Sequence, residues 1–115
     1  MRADMQAPFA SNPLKPNQVE AAVATFSMLA EPTRVRLLWF LLSGEYAVSE
    51  LAELSGSAPS AVSQHLAKLR LARRVRHRRG GRRILYTTDN AHVRRLLEES
   101  LHHADHLAQR HPDHA

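Results

Sequence analysis

The stretch that most constrains the fold is Val48 to Leu71, VSELAELSGSAPSAVSQHLAKLRL, which reads as two short helices joined by a turn at Ser55 to Ser57. In the second helix Val62, Leu66 and Leu69 stand at i, i+4 and i+7 and share one apolar stripe, while Ser60, Ser63, Gln64, Lys68 and Arg70 lie off it. In the first, Val48, Leu51, Ala52 and Leu54 supply the inward side. Gly56 sits where a left-handed helix end wants a residue without Cβ, and Ser57 is placed to cap the next helix. This is a helix-turn-helix pattern.

The polar set on the second helix suits nucleic acid. A Gln side chain offers adenine a matched donor and acceptor, Ser bonds bases or phosphates, and Lys or Arg neutralises phosphate. Ser60, Ser63 and Gln64 are the candidate base readers and Lys68 a phosphate contact. A helical hairpin with a solvated polar face is the plainer reading, and the charge of the whole chain bears on the choice. The 115 residues carry a formal net charge of +5, with a pI near 10.7, which points to an anionic partner. Only 5% of residues are aromatic, too few for the base-stacking surface that single-stranded nucleic acid or RNA calls for, so double-stranded DNA fits better. The chain has no cysteine, which removes disulfides, thiolate metal sites and thiol redox sensing; any metal must be held by nitrogen and oxygen. No apolar run approaches a membrane span and no secretion signal is present, so the expected location is the cytoplasm, with no membrane partner.

The length suits one domain. Met1 to Pro16 holds three of the six prolines and no hydrophobic period, and is expected to be a flexible arm, residues 1–16. From Asn17 or Gln18, apolar residues recur at spacings of three and four through Val19, Ala22, Val23, Phe26, Leu29 and Ala30. Pro32 suits the first turn of a second helix. There Val35, Leu38, Trp39 and Leu42 make an apolar stripe that Leu37, Phe40 and Leu41 widen, marking a central helix.

After Leu71 the run RRVRHRRGGRRILYTT changes the character of the chain. Two glycines between alternating segments signal a hairpin, and a Gly80-Gly81 loop would pair Val75 with Tyr86 and His77 with Ile84 on the core face. Arg76, Arg78 and Arg83 then share the other face. A basic ribbon directly after a reading helix is a wing, and Arg76, Arg78, Arg79, Arg82 and Arg83 are its candidate DNA contacts. The last helix is expected to start at Thr88 or Asp89 and to carry a seam of Val93, Leu96, Leu97, Ser100, Leu101 and Ala104. A long amphipathic terminal helix on so small a domain wants a partner, and the first helix has a matching face, so a homodimer is expected. The fold class is mostly α with a β-hairpin wing. A winged helix-turn-helix spans 17–108, and a histidine-containing tail, 109–115, is expected to be flexible.

The order of elements, with the strings LAEPTRVRLLWFL, VSELAELSG and SAVSQHLAKLR, resembles the ArsR/SmtB family of winged-helix metal-sensing repressors over about Val19 to His106. The resemblance implies a homodimeric repressor whose effector changes its hold on operator DNA. Members usually carry Gly then Leu before the first wing strand, where this chain has Arg73 and Arg74. The family's cysteine site has no counterpart. Its site on the last helix corresponds to Asn90, His92, His103 and His106, with Asn90 replacing a carboxylate that Asp89 or Asp105 would have to supply. The nickel- and cobalt-sensing members are the most similar, down to ARRVRHRR and a histidine tail, here His111 and His114. The resemblance therefore implies Ni2+ or Co2+ as effector, with Zn2+ as the alternative.

Helix geometry bears on that site independently. Eleven residues bring His103 to within roughly 20° of His92 in azimuth but leave them about 16 Å apart along the axis. His103 and His106, at i and i+3, can chelate together, as can His102 and His106 at i and i+4 with Asp105 nearby; the resemblance favours His103. His92 could join only from an antiparallel copy. Imidazole and carboxylate suit nickel, cobalt or zinc. His65 and His77 read as structural or DNA-facing residues, not ligands. A winged-helix regulator with another effector or none is the competing reading. Catalysis has no support, since no H-E-x-x-H, activated nucleophile or phosphate loop is present.

Overall fold

The computed structural model describes residues 13–110, and the first twelve and last five residues, with most of the expected arm and with His111 and His114, lie outside them. Two units are described in turn, divided after Ala30. The first contains α1 (Pro16–Leu29). Pro16 fits its first turn, and the Lys15 backbone N–H donates to Gln18 Oε1 at 3.0 Å. Of its apolar residues Val19, Val23 and Phe26 stay exposed and Met28 is buried.

The second unit begins at Glu31, whose carboxylate accepts from the Arg34 N–H at 2.7 Å and caps α2 (Pro32–Leu41). α2 is the centre of the unit: Leu37, Leu38 and Leu41 are wholly buried. Burying each side chain contributes roughly 1.5–3 kcal/mol. The face differs from the expected stripe, because Trp39 is 46% exposed and the widening residues Leu37 and Leu41 do the packing.

α3 (Val48–Ser55) opens with the Ala47 N–H donating to Glu50 Oε1 at 2.8 Å and closes at Gly56, φ 71°, ψ 24°, the left-handed position expected of it. Leu51 and Ala52 are buried, but Leu54 is half exposed, so it does not belong to the inward side. α4 (Pro59–Leu71) follows, with Val62, Leu66 and Leu69 wholly buried as one stripe. Its N-cap is Ala58, not Ser57. Pro59, whose fixed φ and missing N–H suit the first helical position, pulls the boundary one residue onward.

α4 ends at a left-handed residue, and that residue is Arg73, at φ 60°. The helix end closes as such ends do, with Arg74 N–H to Leu69 O at 2.8 Å and Arg73 N–H to Arg70 O at 2.9 Å, yet an L-residue there costs roughly 1–2 kcal/mol that glycine would not.

The hairpin of β1 (Arg76–Gly80) and β2 (Arg83–Thr87) pairs His77 with Tyr86, Arg79 with Ile84 and Gly80 with Arg83. The loop is therefore Gly81-Arg82, not Gly80-Gly81, and the expected pairings of Val75 with Tyr86 and His77 with Ile84 are corrected. Gly81, at φ 67°, takes the first loop position, where this turn needs a positive φ. Gly80 stays in the strand, paired with Arg83, where a Cβ would lie 2.6 Å from Leu85 Cδ1. The change moves the pairing by two residues, so the face assignments survive: Arg76, Arg78 and Arg83 share one side. Tyr46 adds a bridge to Tyr86 through two backbone hydrogen bonds of 3.0 and 2.8 Å, which fastens the ribbon to the helices.

α5 (Ala91–Arg110) starts later than expected. Thr88 is buried and donates to Arg74 O at 2.6 Å, and Asn90 is the cap, its Oδ1 accepting from the N–H groups of His92 and Val93 at 3.0 and 3.1 Å. Val93 and Leu97 are buried, whereas Ser100, Leu101 and Ala104 are exposed, so only the first half of the seam packs within this unit.

Candidate nucleic-acid interface and metal-ligating residues

With Val62, Leu66 and Leu69 buried, the opposite side of α4 carries Ser60, Ser63, Gln64 and Lys68, all exposed. These are short or flexible polar groups on a helix of major-groove dimensions, with no acidic residue in its first turn to repel phosphate. His65 lies elsewhere. It is half-buried, with its Nε2 3.7 Å from Glu31 Oε1 at the start of α2.

The wing arginines divide into two groups. Arg78 forms a two-pronged pair with Glu45, Nε to Oε2 and Nη2 to Oε1, both at 2.7 Å. Arg83 meets Glu50 at 3.2 Å and Arg76 meets Asp89 at 3.1 Å. Arg79 and Arg82 are exposed near the turn and make no ion pair among the described residues. The pairs are felt by the carboxylates: the hydrogen bonds from Arg78 hold Glu45 below the usual carboxylate range, and the Ala47 N–H, then Arg83, do the same for Glu50. Arg78 is correspondingly raised, first by its hydrogen bond to Glu45. Sequence reasoning missed Glu45 and Glu50. The available signal was that neither has a Lys or Arg within four residues along the chain.

The histidines sit at opposite ends of α5. His92 is exposed in its first turn, with Nδ1 3.2 Å from Arg95 Nη2; His102, His103, Asp105 and His106 are exposed in its later turns. Among the described residues no three His, Asp or Glu side chains of one chain gather around a common point. Asn90 has its side-chain oxygen committed to the helix cap, and Asp89 faces Arg76. Two donor groups on one helix face, too far apart to close on one ion, can complete a site only with groups from elsewhere. No described helix is long and apolar enough to cross a membrane.

Comparison with known proteins gives consistent results. A family described as "Bacterial regulatory protein, arsR family" matches residues 31–76. The HTH-type transcriptional regulator KmtR of Mycobacterium tuberculosis is 46% identical over 110 residues, covering 96% of this chain and 85% of its own length. The crystal structure of the AntR antimony-specific transcriptional repressor superposes with a TM-score of 0.81 at 32% identity, covering 94% of this chain and 99% of that one. The homodimeric winged helix-turn-helix DNA-binding domain Mb0332 of Mycobacterium bovis gives 0.68 at 27% identity, covering 92% and 97%.

Proposed function

Since the chain belongs to the ArsR family of winged helix-turn-helix transcriptional regulators, DNA-binding proteins and not enzymes, we propose that it is a homodimeric repressor whose grip on operator DNA is changed by nickel or cobalt, with zinc as the alternative ion. The observation that carries the reading is the separation on α5 of His92 from His103 and His106, exposed residues that lie about 16 Å and about 21 Å from it along the helix axis. An antiparallel second copy of α5 brings the two ends together, twice, by symmetry. His92 from one subunit then joins His103 and His106 of the other, with Asp89 or Asp105 for the carboxylate and His111 and His114 of the tail as further donors. Nitrogen and oxygen donors in that number suit nickel and cobalt better than tetrahedral zinc.

The dimer is supported by what α1 and α5 leave uncovered: Val19, Val23 and Phe26 on the first, Leu101 and Leu107 on the second. A second copy of the chain is the natural cover for these stripes, in keeping with the homodimeric relative. DNA is read by Ser60, Ser63 and Gln64, held by Lys68, and flanked by the wing. His65 and the paired arginines Arg76, Arg78 and Arg83 position these elements, leaving Arg79 and Arg82 for phosphate. A DNA-binding regulator of this kind works in the cytoplasm. Equilibrium titration of the purified protein with Ni2+, Co2+ and Zn2+, free and bound to an operator selected from random DNA, tests the reading. Tight binding coupled to a change in DNA affinity is expected. DNA binding indifferent to all three ions would instead mean another effector.

A further inference from the structure

Where α4 ends, the first wing strand begins and α5 starts, the chain encloses an open cleft of about 360 Å³. Four arginines line it, Arg70, Arg73, Arg74 and Arg76, against a single carboxylate, Asp89. Asp89 is already matched to Arg76 at 3.1 Å, while Arg70 and Arg73 make no ion pair among the described residues. Val75 is the one aliphatic residue in the wall, and the polar ends that line it are mostly cationic.

The backbone beneath these side chains is fixed. Thr88 donates to Arg74 O at 2.6 Å, Arg74 N–H reaches Leu69 O at 2.8 Å, and the Asn90 N–H reaches Thr88 Oγ1 at 3.3 Å. Arg73 holds φ 60°, a conformation suited to glycine. This chain thus keeps a strained arginine in a cleft that already has three others. Strain retained at one position is a pointer to use.

We propose that the cleft binds a phosphate group, with Arg70 and Arg73 as its principal donors. Guanidinium groups match phosphate oxygens two at a time, and a doubly charged anion gains most where several forks converge. The phosphate is either one of the DNA backbone beside the segment that α4 reads or that of a free phosphorylated small molecule. The inference does not depend on metal sensing, and its test contains no metal.

The full chain, labelled with 15N, is titrated with sodium phosphate at ionic strength held constant with sodium chloride. Saturable shifts are expected at the amides of Arg73 to His77 and of Asn90 to His92. Arg73→Gly, which relieves the backbone, should keep or raise Tm and weaken phosphate binding at least fivefold; Arg70→Gln should weaken it as well. Shifts that never saturate, or that persist undiminished in both variants, overturn the site. Binding to a random-sequence duplex in phosphate-free buffer then names the source. If DNA supplies the phosphate, Arg73→Gly lowers the slope of log K against log salt by about one unit. If a small molecule does, the slope is unchanged and the phosphate shifts survive in the DNA complex. Either slope, following saturable binding, upholds the site.

Discussion

Arg78 and Glu45 face each other through two parallel hydrogen bonds of 2.7 Å although 33 residues separate them in the chain. With Arg83 on Glu50 and the Tyr46–Tyr86 bridge, this pair ties the ribbon to the loop before α3 and to α3 itself. The wing is therefore held in place before any DNA arrives, and part of its charge serves that purpose.

The clasp should depend on pH. Glu45 and Glu50 both have lowered folded-state pKa values, so the stabilisation they bring is fully present above the ordinary carboxylate value, about 4.3, and is lost as pH falls through the lowered one. The protection of the wing amides, relative to intrinsic exchange, should be full at pH 6 and should fall as pH drops through those lowered values. Glu45→Gln should lose part of that protection already at pH 6, where intrinsic exchange is the same for both proteins. A wing whose protection is the same in Glu45→Gln and wild type would show that the pair does not hold it.

Paired and unpaired arginines should act differently on DNA. Replacing Arg79 and Arg82 with alanine is expected to flatten the salt dependence of DNA binding by about two units, close to one for each lost phosphate contact. Replacing Arg78 and Arg83 should lower the slope less and loosen the wing amides instead. Measuring log K against log salt for both variants decides it, and equal slopes would place all four side chains on DNA.

On α4, Gln64→Ala should cost about 1–3 kcal/mol on the operator and relax one base position, whereas Lys68→Ala should weaken specific and random DNA alike. Leu66→Ala, by contrast, empties a wholly buried position and should cost about 2–5 kcal/mol of fold stability. Binding to matched and shuffled duplexes, alongside thermal unfolding, separates reading from folding. If Gln64→Ala loses equally on both duplexes, it is not a base reader.

The helix-turn-helix was readable because it is local: Val62, Leu66 and Leu69 lie within two turns, and Gly56 marks its turn by itself. What escaped depends on geometry between distant segments. The hairpin register turned on which of two adjacent glycines takes the positive-φ loop position, which no period in the sequence encodes. Trp39 and Leu54 belong to apolar patterns yet remain half exposed, since the pattern says which residues are apolar and not how wide the packed face is. The candidate DNA residues on α4 were legible from the same stripe. The division of the wing arginines was not, because Glu45 and Glu50 come to them only through the tertiary fold.

Asn90 offers a substitution that separates cap from ligand. Asn90→Ala removes the acceptor of the His92 and Val93 N–H groups and should cost about 1 kcal/mol. Asn90→Asp keeps the acceptor, adds a negative charge at the positive end of α5 worth about 0.3–1 kcal/mol, and supplies a carboxylate beside His92. Thermal unfolding without metal and nickel titration of the same protein give the two readouts. Tighter nickel binding in Asn90→Asp would place this position at the metal, and unchanged binding would leave Asp89 or Asp105 as the carboxylate.

The subunit arrangement of the metal site makes the sharpest demand. Because about 16 Å of helix separates His92 from His103, no mononuclear site can take both from one α5, and metal affinity must be linked to dimer geometry. A heterodimer with His92→Ala in one subunit and His103→Ala plus His106→Ala in the other keeps one whole site and loses its twin. It should bind one metal ion per dimer with near-native affinity, while each corresponding homodimer binds none tightly. Arg95→Ala should strengthen binding modestly, since Arg95 Nη2 lies 3.2 Å from His92 Nδ1 and a ligating imidazole must give up that contact or change tautomer. Titration of dimers purified on two different affinity tags gives the stoichiometry. Equal metal binding by the heterodimer and both homodimers, or loss of binding in His102→Ala but not in His103→Ala, would dismantle the cross-subunit site.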